Sequence, residues 1–330
     1  MPENQSPIFV TGGTGLLGNW VVRELCNRGH RVRVLCRQSG AVEALEGLDV
    51  ERVHGDLSDR DILQNAIRGC QAVVHSAAMI HIGWQKLEES RRVNVDSTAC
   101  ITNQCRDEGV KLVYVSTVDT LPAARNIDEP ISEGGQEGIA KTRCSYVVSK
   151  SEAEQNVRNV MHATELDAVI IHPGFMLAPF DWKPSSGRMF LEVTKAPIAA
   201  APPGGCSVCD ARDVAAAIAN AVEQSCSSQD YILAGYNLSY QDLWSRMLKT
   251  AGIRRKVFPL GAAIKLAAIL LDVWFRLVPM REGDVNGAAI RMGCLNHFYS
   301  SDRAKLELGY QNRPLEDTLQ DAWEFLEKRR

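Results

Sequence analysis

Thr11-Gly-Gly-Thr-Gly-Leu-Leu-Gly18 stands directly behind the apolar run Ile8-Phe9-Val10, and a helical pattern over 16–28, closed by Gly29, follows it. Gly12, Gly15 and Gly18 read G-x-x-G-x-x-G. Such a loop must turn tightly, admit a pyrophosphate close to the backbone, and let a helix pack against a strand. The helix N-terminus then presents free N–H groups and a positive dipole end to the phosphates. Glycine-rich turns are common. Between a strand and a helix, within the first twenty residues, this one predicts a dinucleotide-binding unit. Gly12, Thr14, Gly15, Leu16 and Leu17 are the candidate phosphate contacts.

Outward from this loop the chain alternates. Residues 31–36, 50–54, 72–75, 111–116 and 168–172 read as strands; 59–68, 90–107 and 145–162 read as helices. That alternation predicts an α/β fold of Rossmann type, a doubly wound parallel sheet covered on both faces. After Pro173 the pattern is broken by Pro179, Pro184, Pro197, Pro202 and Pro203, with a short helix near 188–194. A helix over 210–224 and a strand over 230–233 follow, and helices dominate from 240. The expected organisation is a cofactor-binding domain at 1–175, with 206–235 returning to it. Residues 176–205 and 236–330 form a smaller, mostly helical substrate-binding part.

The second strand ends at Cys36-Arg37-Gln38-Ser39. An acidic residue there accepts a hydrogen bond from the NAD ribose, whereas a guanidinium grips a 2′-phosphate. Arg37 therefore favours NADP(H), with NAD(H) the alternative. Asp56, with Leu57, follows the third strand within reach of an adenine, and Ala77 and Ala78 after the fourth let backbone approach a cofactor.

Tyr146-Val-Val-Ser-Lys150 sets a phenol and an ammonium one helical turn apart on one face. A nearby cation favours the phenolate, so the tyrosine becomes able to exchange a proton with an alcohol or carbonyl oxygen. Thr117, just after the fifth strand, offers a hydroxyl to the same oxygen. Thr117, Tyr146 and Lys150 are the candidate catalytic residues.

The order of these landmarks resembles the extended short-chain dehydrogenase/reductases, in the epimerase/dehydratase superfamily, over nearly the whole chain. Gly55-Asp-Leu57, His75-Ser-Ala-Ala78, Asn94, Val115-Ser-Thr117, Tyr146, Lys150, Pro173 and Arg212-Asp-Val-Ala215 carry the likeness. Within that family the chain looks like dihydroflavonol-4-reductase-like proteins and the proteins labelled hopanoid-associated sugar epimerases. Pro184–Met189, Tyr231–Leu238 and Ser300–Tyr310 carry the second likeness. The resemblance implies that Thr117 is the catalytic hydroxyl, with Ser116 the fallback. It further implies that Lys150 also binds the nicotinamide ribose, and that Pro173, Gly174 and Met176 pass beside the nicotinamide. Members often dimerise through helices like 90–107 and 145–162, so a homodimer is an open alternative. Thr117 stands where many members have Ser, and His172 where many have Arg. Cys36 replaces the Asp of NAD-retaining sugar epimerases.

Candidate substrate residues are Met79, Ile80, His81 and Trp84 after the fourth strand, and Phe180, Trp182 and Arg188 after the sixth. This mix is apolar and aromatic; a nucleotide sugar needs clustered cations for its diphosphate, and Arg188 and Arg291 are scattered. The expected substrate is a neutral, apolar ketone or aldehyde, and the expected enzyme an NADP(H)-dependent carbonyl reductase or alcohol dehydrogenase. The alternatives are an NAD-dependent sugar epimerase or dehydratase, and a non-catalytic nucleotide-binding protein.

Composition narrows the partners. Of 330 residues, 45% are hydrophobic, and 37 basic residues face 40 acidic ones for a net charge of -3, which argues against nucleic acid. Residues 1–7 are polar, without the layout of a signal peptide. Ten scattered cysteines suggest free thiols in a reducing cytoplasm. Cys206 and Cys209 form a lone C-x-x-C without the second ligand pair a metal needs, so no metal is expected. Residues 260–278 are apolar except for Lys265, Asp272 and Arg276, which share one helical flank by spacing. That pattern predicts an amphipathic helix packed inside the protein rather than a stable membrane insertion. A surface helix touching a membrane is the alternative.

Overall fold

Ile8, Val10, Val32, Val34, Val74, Val113, Val169 and Ile171 point to one side of a central sheet, where they join Val21, Leu25, Val214 and Ile218. Phe9, Leu35, Val73, Leu112, Tyr114 and Ile170 point to the other, against Leu63, Ile101 and Val157. Alternating strand side chains buried on both faces are what a parallel sheet between two helical layers requires. The computed structural model describes the chain except residues 1–5, 38–41, 135–137, 139–140, 226–229, 262, 278–281 and 284.

The strands are β1 (Ile8–Thr11), β2 (Val32–Cys36), β3 (Glu51–His54), β4 (Ala72–His75), β5 (Lys111–Val115), β6 (Ala168–Pro173), β7 (Phe175–Leu177), β8 (Ala199–Ala201), β9 (Gly205–Asp210), β10 (Asp230–Leu233), β11 (Tyr236–Ser239), β12 (Val257–Pro259) and β13 (Asn296–His297). The helices are α1 (Leu16–Asn27), α2 (Arg60–Ile67), α3 (Leu87–Arg91), α4 (Ser97–Glu108), α5 (Ser145–Ala163), α6 (Gly187–Lys195), α7 (Ala211–Glu223), α8 (Tyr240–Thr250), α9 (Ile264–Leu277), α10 (Gly287–Gly293), α11 (Asp302–Glu307) and α12 (Leu315–Glu327).

The main sheet runs β10-β6-β5-β4-β1-β2-β3, all parallel. Winding goes outward from β1 to β3, then resumes at β4 on the other side of β1. The crevice at that reversal, outside the strands' C-terminal ends, is where such sheets bind ligands. α1 and α7 cover one face, α2, α4 and α5 the other. Asp230–Leu233 completes the sheet beside β6, long after the chain has left it.

The rest of the chain is less purely helical than its sequence suggests. β7, β9, β11 and β13 form a four-stranded sheet and β8 pairs with β12. These strands are two to six residues long, too short for their periodicity to show. The 90–107 helix is also interrupted: a wide helical turn over Arg92–Asp96 separates α3 from α4. Wide turns of this type recur at functional sites. Cys206 and Cys209 are buried on β9 as free thiols. Among the described residues no helix is long and apolar enough to cross a membrane.

Helix α9 departs from expectation. Leu266, Ile269, Leu270 and Trp274 face solvent rather than a core. Periodicity reports that a helix has an apolar face and says nothing of what covers it.

Candidate active site

The glycine loop is built by close approach. Gly12 has φ +78, and a Cβ there would lie 2.8 Å from the Ala77 nitrogen; a Cβ on Gly18 would lie 2.2 Å from the Gly12 carbonyl oxygen. Gly13, unremarked in the motif, is tight as well: its Cβ would sit 2.5 Å from Val34 Cγ1. Gly15 caps α1 without any side-chain hydrogen bond, leaving the helix N-terminus to backbone N–H groups. The Asn19 side chain ties the loop down by donating to the Gly13 and Ala44 carbonyls at 3.1 and 2.6 Å. Thr14, Leu16 and Leu17 line this same turn. A turn packed too tightly for a Cβ at Gly12, Gly13 or Gly18, before a helix end with no side-chain cap, fits a dinucleotide pyrophosphate.

Other candidate cofactor residues converge here. Thr11 Oγ1 receives the Ala77 N–H at 3.3 Å and lies 2.7 Å from His75 Nδ1, joining the ends of β1 and β4. Ala78 follows, exposed. Pro173 closes β6 and Gly174 donates to the Leu233 carbonyl. Met176 packs with Leu16 and Ala178, which sets the 173–176 segment beside the glycine loop. Arg37 is exposed at the end of β2, while Gln38 and Ser39 lie outside the described residues. Asp56 is exposed, with one carboxylate oxygen accepting from the Ser58 N–H and hydroxyl; Leu57 is half-buried.

Tyr146 sits in the first turn of α5. The orphan N–H groups of that turn are met by another loop: Ser145 N donates to the Gly83 carbonyl at 2.7 Å and Tyr146 N to that of His81 at 3.2 Å. Asn94, in the wide turn, clamps the same loop to the helix. Its Oδ1 accepts from Met79 N at 2.7 Å, and its Nδ2 donates to the Met79 carbonyl and to Ser149 Oγ, both at 2.9 Å. The sequence marked Asn94 only by resemblance.

Lys150 is buried and donates from Nζ to the Val115 carbonyl at 2.7 Å, with the Tyr114 ring 4.3 Å away. Burial pushes its pKa down to about 7, against the pull of Glu154. The Tyr146 phenol is pushed up, by burial first and by the charge of Asp119 second, while its hydrogen bond with Thr117 pulls down. Lys150 thus commits a proton to a backbone carbonyl, and in this arrangement does not hold the phenol low. His75, fully buried near Lys150, is pushed down to about 3 by burial and by that ammonium, so it is neutral.

Three residues of the site carried no sequence signal. Asp119 accepts from Thr117 Oγ1 at 3.2 Å and returns its own N–H to the same hydroxyl. His297 Nδ1 lies 3.4 Å from the other Asp119 oxygen, although 178 residues separate the two in the chain. Glu154, one turn beyond Lys150, is met by Ser116 Oγ at 2.6 Å, His172 Nε2 at 3.1 Å and Arg158 at 2.8 Å. Burial would raise the Glu154 carboxylate, but those bonds outweigh it and hold it well below the ordinary range. Ser116, the fallback hydroxyl, is thereby committed to Glu154.

On the substrate side, His81 Nε2 lies 3.2 Å from Glu282 Oε2, which also accepts from the N–H groups of Trp84 and Gln85 at 2.6 and 2.9 Å. Met79, His81 and Trp84 therefore share one loop with the catalytic helix start. Ile80 is exposed on it. Trp182 lies in an aromatic cluster. Its ring stacks on Phe180 at 5.8 Å, meets Phe325 edge-on, and lies under Arg329, against α12. Arg188, in α6, acts on buried Asp181, which burial raises to about 6.

Residues 8–234, which hold the glycine turn, Thr117, Tyr146 and Lys150, match the family model described as the NAD dependent epimerase/dehydratase family. The chain belongs to that family. It is an extended short-chain dehydrogenase/reductase in fold and landmark order. The chain is 30% identical to a putative dihydroflavonol 4-reductase of Synechocystis sp., over 95% of this chain and 92% of that protein. It is 29% identical to sterol demethylase protein B of Methylococcus capsulatus, over 91% and 92%. The solved structure of gox2253 superposes with a TM-score of 0.85 at 30% identity, covering 99% of each chain. Relatives named as reductases and as a dehydrogenase support an oxidoreductase of the short-chain type.

Proposed function

We propose that this family member is an NADP(H)-dependent carbonyl reductase, equally the reverse alcohol dehydrogenase, acting on an apolar ketone. The observation that carries the reading is the meeting of Tyr146, Thr117 and buried Lys150 at the C-terminal end of β5, beside the glycine cradle. Bound nicotinamide supplies the hydride. Gly12, Thr14, Gly15, Leu16 and Leu17 hold its pyrophosphate, and Arg37 a 2′-phosphate. Asp56 and Leu57 would hold the adenine; Ala77, Ala78, Pro173, Gly174 and Met176 would flank the rest, and Lys150 would take the ribose.

Tyr146 is the acid. Its raised pKa keeps the phenol protonated near neutrality, the form that would donate a proton to a substrate carbonyl oxygen. Thr117 holds that oxygen by turning its hydroxyl away from Asp119. Lys150, near its midpoint at neutral pH, returns a proton toward the phenol. Residues 1–175 with 206–235 serve the cofactor, and 176–205 with 236–330 the substrate. The lining around Met79, Ile80 and Trp84 is apolar, and the likeness to a protein named for sterol demethylation fits a lipid-like ketone. An NAD-retaining epimerase calls for an acid at the end of β2, where this chain has buried Cys36.

Titration with NADPH and NADH tests the reading. NADPH should bind at least tenfold tighter, and Arg37→Glu should reverse the preference. Stoichiometric NAD carried through purification would overturn it in favour of the epimerase.

A further inference from the structure

Leu266, Ile269, Leu270 and Trp274 of α9 are 60, 57, 62 and 55% exposed. Spacings of three, four and eight gather them on one face, while Ala268, on the opposite side, is fully buried and the helix lies against α10. Phe258, on β12 just before α9, and Ile198, next to its partner strand β8, are also exposed, at 56 and 68%. An exposed apolar helix face of this kind marks an interaction site.

Charge identifies the partner. Between Asp242 and Asp272 there is no acidic residue, but there are six basic ones: Arg246, Lys249, Arg254, Arg255, Lys256 and Lys265. The chain's net charge is -3, so everything outside this stretch sums to -9. Lys249, Arg254 and Lys256 are exposed, and Lys256 stands immediately before β12, two residues from exposed Phe258. Arg246 is partnered by Glu316, and Arg255 donates to the Val193 and Thr194 carbonyls.

We propose that α9 and the β8–β12 ribbon form a docking surface for an anionic lipid bilayer. The apolar face enters the headgroup boundary, Trp274 sits at the interface, and the basic stretch meets lipid phosphates. A second copy of the chain is a poorer occupant: a two-fold interface sets the same patch against itself, and so brings two basic stretches together. The surface is also close to the site. α10, on which α9 lies, packs Ala288 with Tyr146, Cys144 and Ile82. An apolar molecule leaving the bilayer thus has a short way to the catalytic helix.

Co-flotation of the full chain with vesicles tests the surface without cofactor or substrate, so its failure is separate from that of the reductase reading. Vesicles of phosphatidylcholine with about 30% phosphatidylglycerol should bind the protein at least tenfold better than phosphatidylcholine alone, and less well as salt rises. The exposed pair Leu266→Ser with Leu270→Ser should lose at least tenfold in binding with an unchanged melting temperature. Arg254→Glu with Lys256→Glu should weaken only the anionic component. Absence of binding to both vesicles, or variants that bind like the parent, overturns the proposal. So does a dimer, seen by ultracentrifugation, that the leucine pair abolishes without any vesicle binding.

Discussion

At the scale of residues, the site is a contest for protons. Thr117 Oγ1 donates its proton to Asp119, and Lys150 Nζ donates one of its own to the Val115 carbonyl. Tyr146→Phe removes the phenolic proton while leaving the ring that packs with Val147 and Ala288. Turnover should fall by about three orders of magnitude or more, with NADPH binding unchanged by titration; full activity would remove Tyr146 from the chemistry. Lys150→Met addresses the cost of the buried ammonium. With a folded pKa of about 7 against 10.5 unfolded, that cost is complete below pH 7 and fades as pH rises toward 10.5, because the folded state sheds its proton first. The methionine variant should therefore melt higher than the parent, with the gap widest at pH 6 and clearly narrower at pH 9. A gap that widens with pH would contradict the burial argument.

At the scale of elements, the β1–α1 turn tolerates no side chain at Gly18, because the Gly12 carbonyl occupies the space. Gly18→Ala must separate helix from strand, at about 1–3 kcal/mol. We expect a lower melting temperature and at least tenfold weaker nucleotide binding; unchanged binding would mean that the cradle is not the phosphate site. Helix α5 shows the complementary case. Its N-terminus is satisfied by carbonyls of the 81–83 loop, so Tyr146 is placed by β4's loop as much as by its own helix. The Tyr146–Lys150 spacing was legible because one turn of helix is a local regularity. The clamp by Asn94 was not, because its two partners lie 15 and 55 residues away.

At the scale of the whole molecule, Glu282 fastens the C-terminal part to the site. Its carboxylate gathers two N–H groups and the His81 ring from the 81–85 loop. Charge-assisted bonds of this type are each worth about 1.5–3 kcal/mol when removed. Glu282→Ala should free that loop, lowering kcat/KM about tenfold or more while the NADPH Kd stays put. Equal kinetics in parent and variant would show that the latch is ornamental to catalysis.

The sequence by itself determined the Rossmann core, the tight glycine turn between β1 and α1, and the one-turn spacing of Tyr146 and Lys150. Each rests on local physics: side-chain alternation along strands, glycines where a Cβ cannot fit, and the pitch of a helix. Only the tertiary structure decided that Ser116 belongs to Glu154 and that Asp119 competes for Thr117. It alone set Trp182 edge-on to Phe325 and turned the apolar face of α9 outward. Those outcomes depend on which distant surfaces meet, and burial, which sets both the pKa of Lys150 and the fate of an amphipathic helix, is a property of the packed chain and of no segment alone.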